Sequence, residues 1–264
     1  VFQAISLADT VTVGLDTEPG IRLDCRADCP PERNTMYRAA ALWLEAAGSR
    51  APSGVAIQAT KRIPSGAGLG GGSSDAAAVL RLLAALFPAA VPPEALAGLA
   101  AEVGSDVPFF LGGPCAAVLG RGELVRPVEP RSDYALALIH PGFPIATADA
   151  YARLDEQRPA GPGDRELAAE LDGVVGSYHK DEPGLWNFRN DFYPVLSGAY
   201  PGLERAMGVL RTAGASFSAM SGSGSVLFGV FENADSAARA AMSARAVGLS
   251  AWTAFPLARL PESV

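Results

Sequence analysis

Cysteine and histidine are scarce here, with three of the first and two of the second in 264 residues. Three cysteines cannot build a disulfide framework. Cys25 and Cys29 have C-x3-C spacing, but no second Cys/His pair follows to complete a zinc site. The thiols therefore read as free and reduced, and the expected compartment is the cytoplasm. No run of 18 or more apolar residues occurs, which argues against a membrane span, and nothing resembles a signal or transit peptide. Positive charge is also in deficit, with 21 lysines and arginines against 28 aspartates and glutamates and a formal net charge of -7. An acidic chain repels a polyphosphate backbone, which argues against nucleic acid as the partner. A single nucleotide stays allowed, because backbone amides bind one phosphate cluster without net positive charge.

What remains is an ordinary globular balance, 49% hydrophobic and 19% charged. Alternation predicts strands in Val1–Leu7, Thr10–Val13 and Ile21–Asp24. A helix is expected over Thr35–Ala47, ended by Gly48, then a strand over Val55–Ala59. Asp75–Phe87 and Glu94–Val103 read as helices, Cys115–Leu119 and Tyr134–Ile139 as strands. Arg158-Pro159-Ala160-Gly161-Pro162-Gly163 is the most linker-like stretch. Beyond it, helices are expected over Gly202–Thr212 and Asn233–Val247, and strands over Ala215–Met220, Val226–Phe231 and Leu249–Leu257. The alternation suits an α+β fold in which helices back an antiparallel sheet.

Between the strand Val55–Ala59 and the helix from Asp75 lies Lys61-Arg62-Ile63-Pro64-Ser65-Gly66-Ala67-Gly68-Leu69-Gly70-Gly71-Gly72-Ser73-Ser74-Asp75. Five of the seven positions from Gly66 to Gly72 are glycine, the residue that loses most backbone entropy on ordering. Such a run suits main chain that approaches a bulky group with no side chain between. The free N–H groups and positive dipole end of the following helix would face whatever the loop encloses, and Ser73 and Ser74 add hydroxyls. A di- or triphosphate is the expected guest. A glycine-rich hairpin or a plain helix cap accounts for parts of this pattern, not for five glycines together. Gly66, Gly68 and Gly71 also spell G-x-G-x-x-G, but the acidic residue a dinucleotide site wants about 20 positions on would be Glu94, which follows two prolines and reads as a helix start. A Walker A loop is excluded, because no Gly-Lys-Ser/Thr occurs.

Pro64-x-x-x-Gly68-Leu69-Gly70 followed by Gly71-Gly72-Ser73-Ser74 resembles the phosphate-binding motif of the GHMP kinases, which act on homoserine, mevalonate and galactose among others. Three consecutive glycines before Ser-Ser are most similar to the branch that acts on a cytidine-diphosphate-linked methylerythritol in the non-mevalonate isoprenoid route. The likeness runs from Phe2-Gln3-Ala4-Ile5 to the last strand. It implies a two-lobed α+β fold, with an N-terminal lobe like domain 2 of ribosomal protein S5 over 1–145 and a ferredoxin-like C-terminal lobe over 146–264. It also implies ATP and Mg²⁺ as cofactors, and a small-molecule alcohol as the partner, phosphorylated at its C2 hydroxyl. Oligomeric state is not set by the sequence.

Further residues fit this resemblance. Asp106, in Gly104-Ser105-Asp106-Val107-Pro108-Phe109-Phe110, reads alone as a helix cap; beside the family it matches the general base that accepts the substrate hydroxyl proton. Met220-Ser221-Gly222-Ser223-Gly224-Ser225 reads as a tight turn between strands, and it resembles the third family motif, with Ser221 and Gly222 beside the substrate. Lys61 matches a lysine that approaches the nucleotide, or is a solvated strand-end residue. Asn34 matches a position bordering the adenosine, or is an ordinary N-cap. Thr147 matches a position near the substrate, or is a plain loop residue. His140 and His179 read as structural. The branch also carries a Lys-x-Asn strand and an Asp-Gly-Tyr-His segment, absent from this sequence; the expectation is that both precede Val1. That lysine would lower the pKa of Asp106, and the tyrosine and histidine would hold the cytidine.

Overall fold

The computed structural model of the chain describes residues 1–26, 29–120, 122, 124–157 and 164–261. After a short strand β1 (Phe2–Gln3), the alternating runs become β2 (Thr10–Leu15) and β3 (Gly20–Cys25), followed by α1 (Thr35–Ala47) and β4 (Gly54–Thr60). β4 is the middle strand of three, antiparallel to β2 and parallel to β3, with Ile57 opposite both Val13 and Leu23. One face of this sheet is covered by α1, α2 (Gly71–Leu86) and α3 (Leu96–Val103). In α1 the apolar stripe is mostly alanine. Ala39, Ala40 and Ala47 flank the fully buried Trp43, and these small side chains let α1 lie close on Ala76, Ala77 and Leu80 of α2.

α4 (Val107–Gly112) leads into β5 (Cys115–Leu119) and β6 (Leu124–Pro127), which form a small sheet with β1. β7 (Ala135–His140) then enters a second lobe. It is followed by α5 (Thr147–Gln157), α6 (Asp164–Lys180), α7 (Phe192–Ser197), α8 (Pro201–Thr212), β8 (Phe217–Met220), β9 (Leu227–Phe231), α9 (Ala234–Ala246) and β10 (Ser250–Ala254). The antiparallel strand order β10-β7-β9-β8, with α8 and α9 as connections, is the β-α-β-β-α-β arrangement of a ferredoxin-like sandwich. β7 is central and buried on both faces. Ala135, Ala137 and Ile139 point toward α8 and α9, among Leu203, Leu210, Ala240 and Ala241; Leu136 and Leu138 point the other way, toward Val226, Tyr178 and Trp186. Cutting Leu203 or Leu210 to alanine would cost about 2–5 kcal/mol, since both are fully buried.

The sequence places α1 and β5 at their observed bounds. The helix expected from Asp75 begins instead at Gly71, because the glycines themselves form its first turn. The sequence reading placed no element over α4, α5, α6, α7 or β6, which are short or polar. The linker-like stretch 158–163 lies outside the described residues. β7 precedes position 146 in sequence, yet its hydrogen-bond partners are β9 and β10. Among the described residues no helix is long and apolar enough to cross a membrane.

Candidate active site

The chain leaves β4 through Lys61-Arg62-Ile63 and turns through Pro64–Gly70 before α2 begins. Gly66, Gly68 and Gly70 take φ of +62°, +73° and +66°, a region that L side chains rarely enter. Gly70 is the N-cap of α2 and offers no side chain to it. The first helical bond runs from Ser74 N to Gly70 O at 2.9 Å. The amides of Gly71, Gly72 and Ser73 therefore have no hydrogen-bond partner among the described residues. Ser74 does not cap them, since its hydroxyl donates to Gly71 O at 2.9 Å. Open donors and the positive helix end make an anion site.

The loop's shape is held from the other lobe by the turn between β8 and β9. Val226 N donates to Ala67 O at 3.1 Å, Ile145 N to Gly66 O at 3.3 Å, and the Ser221 hydroxyl to Gly68 O at 2.7 Å. A Cβ on Gly68 would lie 2.1 Å from Ser221 O and 2.9 Å from Gly224 O. Glycine at position 68 is thus required by the loop's contact with the turn. The side-chain amide of Asn190 donates to both Met220 O and Gly222 O at 2.8 Å, and its oxygen accepts from Tyr193 N at 2.9 Å. The hydroxyls of Thr147, at the start of α5, and Ser223 lie 3.3 Å apart. Ser221, Gly222 and Thr147 are therefore gathered around one turn, with Ser221 directly on the glycine loop.

Beneath the loop, the Lys61 ammonium donates to both Asp9 and Asp75. Asp9 also accepts the backbone N–H of Arg62 and of Ile63, the latter at 2.9 Å. The carboxylates are almost wholly buried, with 1% and 4% of their side-chain surface exposed. Burial pushes Asp75 up to about 6 despite the lysine, and the charge of the neighbouring Asp9 carboxylate adds to the rise. Burial pulls Lys61 down, but its hydrogen bonds to Asp75 and Asp9 outweigh it and hold the ammonium above its ordinary value. Nearby, the Thr35 hydroxyl donates to Gly72 O at 2.7 Å, tying the start of α1 to that of α2. Asn34 is the N-cap of α1, buried and accepting Met36 N at 2.9 Å.

Asp106 occupies the N-cap position of α4, but its backbone is helical and its side chain makes no cap hydrogen bond. The cap reading that its position suggests is therefore not realised. Among the described residues no hydrogen bond or ion pair engages the carboxylate, and burial holds its pKa above the ordinary aspartate value. Four residues on, the Phe110 ring stands 3.1 Å from where a Cβ on Gly70 would be. This contact puts α4 against the glycine loop, and a residue one turn earlier shares that face.

Residues 34–114 match the GHMP kinases N terminal domain, and residues 184–248 match GHMP kinases C terminal. The chain belongs to the GHMP kinase family. Its relatives include the 4-diphosphocytidyl-2-C-methyl-D-erythritol kinase of Thermus thermophilus, 43% identical over 252 residues that cover 95% of this chain and 84% of that protein. The enzyme of the same name from Treponema pallidum is 36% identical over 247 residues, 91% of this chain and 83% of that one. A crystal structure of 4-(cytidine 5'-diphospho)-2C-methyl-D-erythritol kinase superposes with a TM-score of 0.77 at 36% identity, covering 96% of this chain and 88% of the other.

Within this GHMP kinase, no cluster of three or more His, Cys, Asp or Glu able to hold a metal occurs among the described residues. Sequence reading passed over Asp9, Thr35 and Asn190. Each acts on residues far away in the chain, so no local pattern marks it.

Proposed function

We infer that the chain transfers the γ-phosphoryl group of ATP to the C2 hydroxyl of 4-diphosphocytidyl-2-C-methyl-D-erythritol, a step of non-mevalonate isoprenoid precursor biosynthesis. The observation that carries the kinase reading is the set of open amides on Gly71, Gly72 and Ser73, held by a turn from the opposite lobe. The acceptor is inferred from relatives of that name at 36–43% identity over most of the chain.

In this reading the backbone from Pro64 and Ser65 through Gly66, Ala67, Gly68, Leu69, Gly70, Gly71, Gly72, Ser73 and Ser74 cradles the triphosphate, fixing it by dipoles already in place before substrate binds. Asp106 accepts the hydroxyl proton as that oxygen attacks phosphorus. A carboxylate that no hydrogen bond or ion pair engages among the described residues, with a pKa raised by burial, is suited to this, since its basicity is increased. Ser221, Gly222 and Thr147 border the acceptor. Mg²⁺ would be held mainly by phosphate oxygens and water, since no cluster of three or more His, Cys, Asp or Glu able to hold it occurs among the described residues. When bound it would neutralise phosphate charge.

The test is phosphoryl transfer by the purified protein. It is supplied with ATP and, separately, the cytidine-diphosphate alcohol, homoserine and mevalonate. Turnover with the first alone is expected; preference for either of the others would replace the acceptor named here.

A further inference from the structure

Lys61 matches a lysine that approaches the nucleotide, yet its ammonium is taken up elsewhere. It donates to Asp9 and to Asp75, and only 20% of its side-chain surface is exposed. The three residues come from three separate pieces of chain: the entry to β2, the exit of β4 and the second turn of α2. Asp9 joins them twice over, because its other oxygen accepts the amides of Arg62 and Ile63 at the start of the phosphate loop. It also lies 3.6 Å from where a Cβ on Gly71 would be, directly behind the first open amide. Ile63 closes the same spot, its side chain 2.8 Å from that Cβ position.

We propose that Asp9, Lys61 and Asp75 form a buried clamp that positions the phosphate loop and the first turn of α2, and that Lys61 serves ATP binding through this clamp rather than as a direct ligand. Three facts carry the assignment. The lysine joins the two segments that flank the loop, the exit of β4 and α2, so it fixes the span the loop must close. The carboxylates are too buried to be solvated, so loss of the lysine would leave uncompensated negative charge beneath an anion site. Finally, Asp9 orients the amides at the loop's entry, while the turn bearing Ser221 and Val226 fixes its middle, so the loop is anchored at both places. A phosphate cradle built from main chain has no other way to hold its shape, because its glycines supply none.

This inference rests on the kinase reading of the site, and nucleotide affinity tests it whichever alcohol is the acceptor. The ATP dissociation constant would be measured for wild type, D9N, K61M and D9N/K61M, with thermal unfolding of each variant to confirm folding. A clamp predicts that D9N and K61M each weaken ATP binding at least tenfold, and that the double variant binds no more weakly than the worse single one, since either change opens the same device. The KM for ATP should rise more than kcat falls. If Lys61 were a ligand, D9N would free its ammonium, leaving ATP affinity unchanged or tighter while K61M alone weakened it. That pattern would overturn the proposal, as would additive losses in the double variant. K61M leaves two buried carboxylates and is the variant most exposed to misfolding; D9N keeps the lysine paired with Asp75 and decides the question by itself.

Discussion

The Ser221 hydroxyl donates to Gly68 O at 2.7 Å across 153 positions of sequence, and a single added carbon on Gly68 would strike Ser221 O at 2.1 Å. The third small-residue motif and the phosphate loop are therefore one object, closed by a hydrogen bond and by the absence of a side chain.

That relationship makes Gly68→Ala a severe change. The residue sits at φ +73°, and its new methyl would meet backbone atoms that cannot rotate away. Strain of about 1–3 kcal/mol from the backbone alone adds to the clash. Thermal unfolding should fall by several degrees and ATP turnover by more than tenfold. Gly98→Ala, inside α3 with nothing within 4 Å of its Cβ position, is the control. It should raise stability by about 0.5–1 kcal/mol.

Asp106→Asn should lower kcat by about 10²–10⁴-fold while leaving ATP affinity in place. The working form of a general base is deprotonated, and burial holds this carboxyl above its ordinary value. The acid limb of kcat/KM should therefore lie above the pH at which a solvated aspartate titrates. In Asp106→Asn that limb should vanish. A variant with full turnover would remove Asp106 from the chemistry.

Asp75 gives a stability prediction with a definite sign. Its pKa is about 6 in the fold, against about 3.9 in an unfolded chain. As pH rises through that window the unfolded chain releases its proton first, so the folded state loses stability relative to it. Asp75→Asn has no proton to lose there. Wild type should accordingly lose about 1–3 kcal/mol relative to Asp75→Asn between pH 4 and pH 7, read by denaturant unfolding at each pH. A constant difference across that range would show that Asp75 does not titrate near 6.

Asn190 should tolerate an isosteric acid poorly. Its amide donates to two carbonyl oxygens, those of Met220 and Gly222, and a carboxylate only accepts. Asn190→Asp should cost about 1–3 kcal/mol, more than Asn190→Ala, because it sets a charge against both carbonyls. Both should raise the KM for ATP severalfold by loosening the turn that holds Gly68. An Asp variant equal to wild type would mean that this turn needs no support from Asn190.

Much of this was written locally. Thr35–Ala47 could be read as a helix because Asn34 caps it, Gly48 ends it and its apolar residues recur at helical spacing. The glycine loop announced itself by composition, since no regular element tolerates five glycines in seven positions. Asp106 was legible only through resemblance, because one aspartate before a short helix looks like a cap in sequence.

Sequence alone thus determined that a strand, a glycine turn and a helix stand in that order, and that the turn must lie against something large. Backbone conformational freedom and local hydrogen bonding decide such matters within a few residues. Only the tertiary structure decided that Asp9 and Asp75 close on Lys61, that Asn190 carries the turn at Ser221, and that Asp106 makes no cap hydrogen bond to its own helix. Those outcomes depend on which distant groups are buried together, and pairing across the core leaves no periodic trace along the chain.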